Sequence, residues 1–322
     1  MTELALETRG LTKIYGGGFT LGGRRRPAIH AVSDVTINLN RGETLGVVGE
    51  SGCGKSTLAK MLVGLLGPSV GTIKVHSRNT AIQSNNGSQP KRRSIQYVFQ
   101  DPISSLNPRS TTRKILEAPL IRLTQLDRQQ RNDRLFELLD AVKLRPEFID
   151  RYPHEFSGGQ AQRIGIARAL AANPDIVVFD EPVSALDVSV QAQVLNLLAE
   201  LKQRFGLTYI VISHNLAVTE VICDTVAVMY FGRIVEQAST QKLFENPRHP
   251  YTRLLLDSSP AVGRKFKGTR VEVTELPDPY NPPIGCAFAA RCSNAKERCL
   301  GEKPDLTRID ENHEAACFYP LL

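Results

Sequence analysis

The chain has 322 residues, with 40 Lys plus Arg against 33 Asp plus Glu and a formal net charge of +7. Hydrophobic residues at 41% and charged residues at 23% are close to a soluble globular average, which excludes wholesale disorder and admits one large domain with an appendage, or two modest ones. The longest uncharged stretch of the apolar second half, residues 205–219, is 15 residues long, short of the roughly 20 apolar residues a bilayer span needs.

Residues 1–9 carry Glu3 and Glu7 and no apolar run, so the reading is a cytosolic chain without a signal peptide. The opening is β-structure: Val35, Ile37 and Leu39 alternate with Thr36 and Asn38, the period of a half-buried strand. A Gly-rich, basic stretch at residues 16–27 interrupts it as a loop. Thr44–Val48 is a short apolar run ending in Gly49, as for a buried parallel strand, and Leu58, Met61, Leu62 and Leu65 then recur on one helical face. Residues 102–153 read as helical, with Leu135, Leu138, Leu139 and Val142 on one stripe. Strand-like runs return at residues 176–179, 209–212 and 226–230, separated by helical segments such as Val188–Phe205. Strands alternating with helices predict an α/β fold, a parallel sheet covered on both faces. With no internal repeat, the chain carries one such unit.

Composition shifts near residue 258. Beyond it lie nine basic and nine acidic residues, seven of the 19 prolines and four of the six cysteines, so the positive excess belongs to residues 1–257. The basic clusters 24–26 and 91–93 read as solvated loop charge. With no Trp and no RNA-binding signature, nucleic acid is not an expected partner.

Gly49-Glu50-Ser51-Gly52-Cys53-Gly54-Lys55-Ser56-Thr57 fits G-x-x-x-x-G-K-[ST] between a strand and a helix. Glycines let the backbone turn tightly enough to aim N–H groups at phosphate oxygens, and the helix adds the positive end of its dipole. Lys55 is expected to bridge the terminal phosphates and Ser56 to ligate Mg²⁺, while Cys53 reads as a small spacer. Four apolar residues then lead into Asp180 and Glu181. Asp180 at the strand's carboxyl end suits the magnesium shell, and Glu181 suits a base for an attacking water.

Phe156-Ser157-Gly158-Gly159-Gln160, ahead of a helix with Ile164, Ala167, Leu170 and Ala171 on one face, resembles the signature motif of ABC-type ATPases. Its physical content is a second anion site at a helix N-terminus. The resemblance implies a P-loop cassette with a RecA-like parallel-sheet core, an antiparallel β subdomain and an α-helical subdomain at about 102–157. ATP would be held between the cradle of one cassette and the signature of another. By the same resemblance Gln100 is the Q-loop glutamine, touching Mg²⁺ or water and sensing the membrane subunit. Ser184-Ala185-Leu186-Asp187 is the D-loop, His214 the switch histidine at the γ-phosphate, and Tyr15 the aromatic that stacks on adenine. Ala161 and Asn215 stand where many relatives carry Arg and Asp, and neither change removes a phosphate-contacting group.

Phe99-Gln100-Asp101-Pro102-Ile103-Ser104-Ser105-Leu106-Asn107-Pro108-Arg109, His249-Pro250-Tyr251-Thr252-Arg253 and the Pro-rich, Cys-containing tail resemble the oligopeptide/dipeptide/nickel importer ATPases, of the second ("F") type. The organisation this implies is a nucleotide-binding domain over residues 1–257 and an extension over 258–322. The implied partners are a second, different ATPase subunit, two transmembrane permease subunits and an extracytoplasmic solute-binding protein. The implied place is peripheral, on the cytoplasmic face of the bacterial inner membrane. The alternatives are a soluble ABC ATPase without a transporter and a metal-binding regulatory module with a degenerate cassette. The first lacks its inserted coiled coils or fused second cassette, and intact Lys55, Asp180, Glu181 and His214 argue against the second.

The tail cysteines run Cys286-x5-Cys292-x6-Cys299-x17-Cys317. Stable disulfides are disfavoured in the cytosol. Four thiolates in a proline-rich segment suit Zn²⁺, an iron–sulfur cluster or no ligand at all, and the missing C-x2-C knuckle counts against zinc. The importer resemblance implies a structural [4Fe–4S] cluster, with Zn²⁺ as the alternative.

Overall fold

A computed structural model of the chain describes residues 3–17, 27–76, 93–258 and 276–322. The basic triplet 24–26, Lys91 and Arg92, and most of the predicted 16–27 loop lie outside the described residues. The strands are β1 (Leu4–Gly16), β2 (Ala28–Asn40), β3 (Thr44–Val48), β4 (Val70–Val75), β5 (Ile95–Val98), β6 (Ile176–Asp180), β7 (Thr208–Ser213), β8 (Thr225–Tyr230), β9 (Arg233–Ser239), β10 (Thr307–Asp310) and β11 (His313–Ala315). Among the described residues no helix is long and apolar enough to cross a membrane. The chain divides into two compact units, residues 1–6, 39–44 and 74–212, and residues 7–38, 45–73 and 213–322.

In the first unit β5, β6 and β7 run parallel, with Ile95 opposite Ile176 and Asp180 opposite Ile212. Every residue of β6 and β7 is buried. That is why both read as continuous apolar runs and not as alternating ones. The helices Thr112–Leu123, Arg128–Ala141, Gly158–Ala171 and Val188–Phe205 complete the unit. Leu135, Leu138, Leu139 and Val142 are buried together, as their spacing predicts. Arg128–Ala141 starts in a capping box, Asp127 accepting from the Gln130 N–H while the Gln130 side chain takes the Asp127 N–H.

In the second unit a three-stranded sheet has the order β2-β1-β4. On β2, Val35, Ile37 and Leu39 are buried and Thr36 and Asn38 exposed, the expected alternation. β3 runs parallel to β8, which forms an antiparallel hairpin with β9. Its turn residues, Phe231 and Gly232, both have positive φ, as tight hairpin turns require. β11 then pairs antiparallel with β9, and β10 with β11, so the tail extends the sheet by two strands that periodicity did not predict. Helix Lys55–Leu62 buries Leu58, Met61 and Leu62. Leu65 does not continue that face: the helix has ended, and Leu65 is 62% exposed.

Candidate functional site

The predicted residues fall in both units, and each set takes its geometry from its own unit. In the second, the phosphate loop leaves β3 and enters helix Lys55–Leu62, whose N-cap, Gly54, makes no side-chain cap hydrogen bond. A helix start without a side-chain cap leaves amides for an anion. Gly49 cannot be replaced: a Cβ there would lie 2.1 Å from the Met229 carbonyl oxygen on β8. Lys55 is buried, and its ammonium donates to the carbonyls of Gly49 and Glu50, both at 2.7 Å. The Cys53 thiol is pushed up by burial, partly offset by Lys55, which fits an unreactive spacer. Glu50 is held from three sides. Its N–H donates to the Tyr251 hydroxyl at 2.9 Å, and both carboxylate oxygens accept from Arg291 at 2.9 Å.

Tyr15 presents a 41% exposed ring on β1, with the Lys13 ammonium 5.5 Å from its centroid. His214 is exposed and directly precedes Asn215, whose side chain accepts from the Ala217 N–H and caps helix Leu216–Ile222. An Asn serves that cap as an Asp would, which accounts for the departure at this position.

In the first unit Asp180 ends β6 and accepts from the Tyr97 hydroxyl at 2.5 Å. Burial and the adjacent carboxylate push the Tyr97 phenol far up, so it stays a donor. Glu181 has φ +49, a strained setting for a side-chain-bearing residue, and is fixed there by its N–H to the Ile212 carbonyl. Its carboxylate accepts from the Gln100 amide at 2.7 Å. Gln100, Asp180 and Glu181 thus gather at the carboxyl ends of β5 and β6. Tyr97, which the sequence did not mark as a site residue, is the partner that holds Asp180.

The predicted second anion site is a capping box. Ser157 Oγ accepts from the Gln160 N–H, and the Gln160 side chain accepts from the Ser157 N–H. Gly159 is required there because a Cβ would sit 2.6 Å from Val190 Cγ1 on the next helix. Ala161 is fully buried. Residues 184–187 are folded by Gln191, whose amide donates to the carbonyls of Val183 and Leu186. Arg168, on helix Gly158–Ala171, donates to the Ser105 carbonyl at 2.6 Å and lies 5.9 Å from the Phe99 ring, tying the Gln100 segment to this helix. Nothing in the sequence marked Gln191 or Arg168.

The four tail cysteines carry free thiols, and all line one cavity of about 20 Å³ together with Phe288, Tyr319 and others. That is space for about one water. Burial foremost, with the neighbouring thiols, raises Cys286, Cys292 and Cys317, the last to about 11. Among the described residues no group of three or more His, Cys, Asp or Glu is arranged to hold a metal ion.

Comparison with known proteins gives two family matches, "ABC transporter" over residues 32–184 and "Oligopeptide/dipeptide transporter, C-terminal region" over residues 235–299. The chain is 48% identical to the dipeptide transport ATP-binding protein DppF of Haemophilus influenzae, over 90% of this chain and 89% of that one. It is 45% identical to the oligopeptide transport ATP-binding protein AppF of Bacillus subtilis, over 98% and 97%. A solved dimeric, post-hydrolysis ATP-binding cassette, MJ0796 bound to ADP and Pi, matches with TM-score 0.62 and 29% identity, over 73% of this chain and 98% of that one. CbiO1 from Clostridium perfringens, part of the ABC transporter complex CbiONQ, matches with TM-score 0.62 and 27% identity, over 76% and 92%.

Proposed function

The chain belongs to the family of ABC transporter ATP-binding proteins with an oligopeptide/dipeptide-type C-terminal region, and from this premise we propose that it hydrolyses ATP to drive import of di- or oligopeptides or a related small solute. The observation that carries the reading is one chain holding a lysine-bearing phosphate loop on an uncapped helix and a carboxylate pair gripped by Tyr97 and Gln100. In this reading the loop amides, Lys55 and the helix dipole bind the triphosphate, and Tyr15 stacks on the adenine. Ser56, Asp180 and Gln100 are the hard oxygen donors that would hold Mg²⁺, which neutralises charge between the phosphates when bound. Glu181 orients and deprotonates the attacking water once Gln100 releases it, and His214 contacts the γ-phosphate. Lys55 exchanges two loop carbonyls for phosphate oxygens.

Ser157, Gly158, Gly159 and Gln160 close the ATP site of a neighbouring ATPase subunit, a different chain in this proposal. Movement of the Gln100 segment passes through Arg168 to the signature helix and outward to two permease subunits. The protein would sit peripherally on the cytoplasmic face of the bacterial inner membrane, fed by an extracytoplasmic solute-binding protein. The test is equilibrium ATP binding: Lys55→Ala should lose nucleotide affinity, and unchanged affinity would refute the cradle.

The finer reading of the tail is a [4Fe–4S] cluster, with Zn²⁺ the alternative. Its support is the convergence of four thiols on one cavity; a space of about one water means the tail must open to admit a cluster. The group would staple a segment with little apolar core of its own. Anaerobically purified protein should then be coloured and contain iron. A colourless, iron-free preparation refutes the cluster, and zinc in its place establishes the alternative.

A further inference from the structure

The phosphate loop is contacted by the C-terminal region, residues 235–299, through Tyr251 and Arg291. Arg291 presents its guanidinium to both carboxylate oxygens of Glu50, each at 2.9 Å, in the bidentate geometry that is strongest for such pairs. The Arg291 side chain is only 10% exposed, and its cation lies 5.9 Å and 5.7 Å from the rings of Tyr230 and Phe288. Those rings pack with Tyr251 at centroid separations of 4.5 and 5.4 Å. Tyr251 in turn accepts the Glu50 N–H at 2.9 Å. One acidic residue inside a loop built to receive a polyanion is therefore both neutralised and anchored by this region. Without Arg291 the Glu50 charge would oppose an incoming phosphate chain.

The arginine's own placement depends on the cysteine segment. It ends the 3-10 turn Ala289–Arg291, bracketed by Cys286 and Cys292. Cys286 donates its N–H to the Cys299 carbonyl at 2.8 Å, Ala289 to the Cys286 carbonyl at 3.0 Å, and Cys292 to the Ala289 carbonyl at 3.2 Å.

We propose that the C-terminal region spanning residues 235–299 is a clamp on the phosphate loop, with Arg291 and Tyr251 as positioning residues that act through Glu50 to set affinity for ATP. The proposal rests on the reading that the loop binds the triphosphate. It goes beyond that reading by giving the tail a role in nucleotide binding.

The test uses the full-length chain with its membrane subunits, titrated with Mg·ATP and assayed for turnover. Arg291→Gln should weaken ATP binding by about tenfold and raise KM in step while leaving kcat near wild type. Arg291→Lys keeps the charge but not the fork and should recover part of the loss. Combining Arg291→Gln with Glu50→Gln should cost less than the product of the two single effects, since both break one pair. Melting curves on the same samples separate a clamp from a mere staple. Arg291→Gln protein that melts earlier yet binds ATP with unchanged affinity in its folded fraction overturns the clamp. Unchanged affinity in Arg291→Gln beside lost binding in Lys55→Ala overturns the clamp alone, and unchanged affinity in both overturns the nucleotide reading with it. If Arg291→Gln does not fold, Arg291→Lys and Tyr251→Phe carry the test. Wild-type affinity in both overturns the proposal, and weakened binding in both supports it.

Discussion

Replacing His249 with Asn should flatten the dependence of stability on pH. His249 is wholly buried, its backbone N–H donating to the Glu236 carboxylate and its ring Nδ1 accepting the Tyr251 N–H at 3.0 Å. Burial, only partly opposed by the Glu236 carboxylate, lowers its pKa from 6.5 to about 4. The folded chain therefore keeps this imidazole neutral down to about pH 4, while the unfolded chain takes up a proton near pH 6.5. Stability is full above 6.5, falls as the pH drops toward 4, and levels off below. By linkage the stability lost is on the order of 3 kcal/mol, most of it by pH 4.5. Asn offers Oδ1 to the Tyr251 N–H and does not titrate. Urea unfolding of both proteins at pH values from 7.5 to 4.5 should give a stability gap that moves in favour of the variant by about 2–3 kcal/mol. His313, whose Nε2 lies 2.7 Å from the Glu236 carboxylate, is present in both proteins. Parallel profiles would refute the reasoning.

Two further substitutions probe the first unit. Tyr97→Phe removes the hydroxyl that donates to Asp180, a bond to a charged acceptor worth about 1.5–3 kcal/mol, so half-maximal ATPase activity should need roughly tenfold more Mg²⁺; an unchanged requirement would refute that role. Gly159→Ala drives a Cβ to 2.6 Å from the β-branched Val190, which cannot easily swing away, and should cost about 1–3 kcal/mol in urea unfolding. Adding Val190→Ala should restore most of that loss, and failure of the rescue would show that the clash is not the cause.

What the sequence made legible was local in the chain. A strand, a glycine-rich loop and a helix within residues 44–62, or an apolar run ending in two acids, carry their geometry in their spacing. Periodicity also located β2, β3, β6, β7 and β8 and the buried stripe of Arg128–Ala141, because each is a repeat of burial along one element. It misled at Leu65, where an apolar residue at the right spacing lies past the end of its helix. What it hid were pairings between distant residues. Arg291 and Glu50 are 241 positions apart, Tyr251 and Glu50 are 201, and Tyr97 and Asp180 are 83. Each is an ordinary surface-type or aromatic residue in its own neighbourhood and becomes informative only once the backbone brings its partner near. The short β10 and β11 escaped for a related reason: they are too short for a period and gain stability from β9.

The account stands on Glu181 as the base of an ATPase motor, and turnover of Glu181→Gln in the chain assembled with its membrane subunits tests it most directly. ATP affinity should hold while hydrolysis and solute uptake fall together by about 10²–10⁴-fold, the span that removal of a general base commands. Near-normal hydrolysis in that variant would contradict the account.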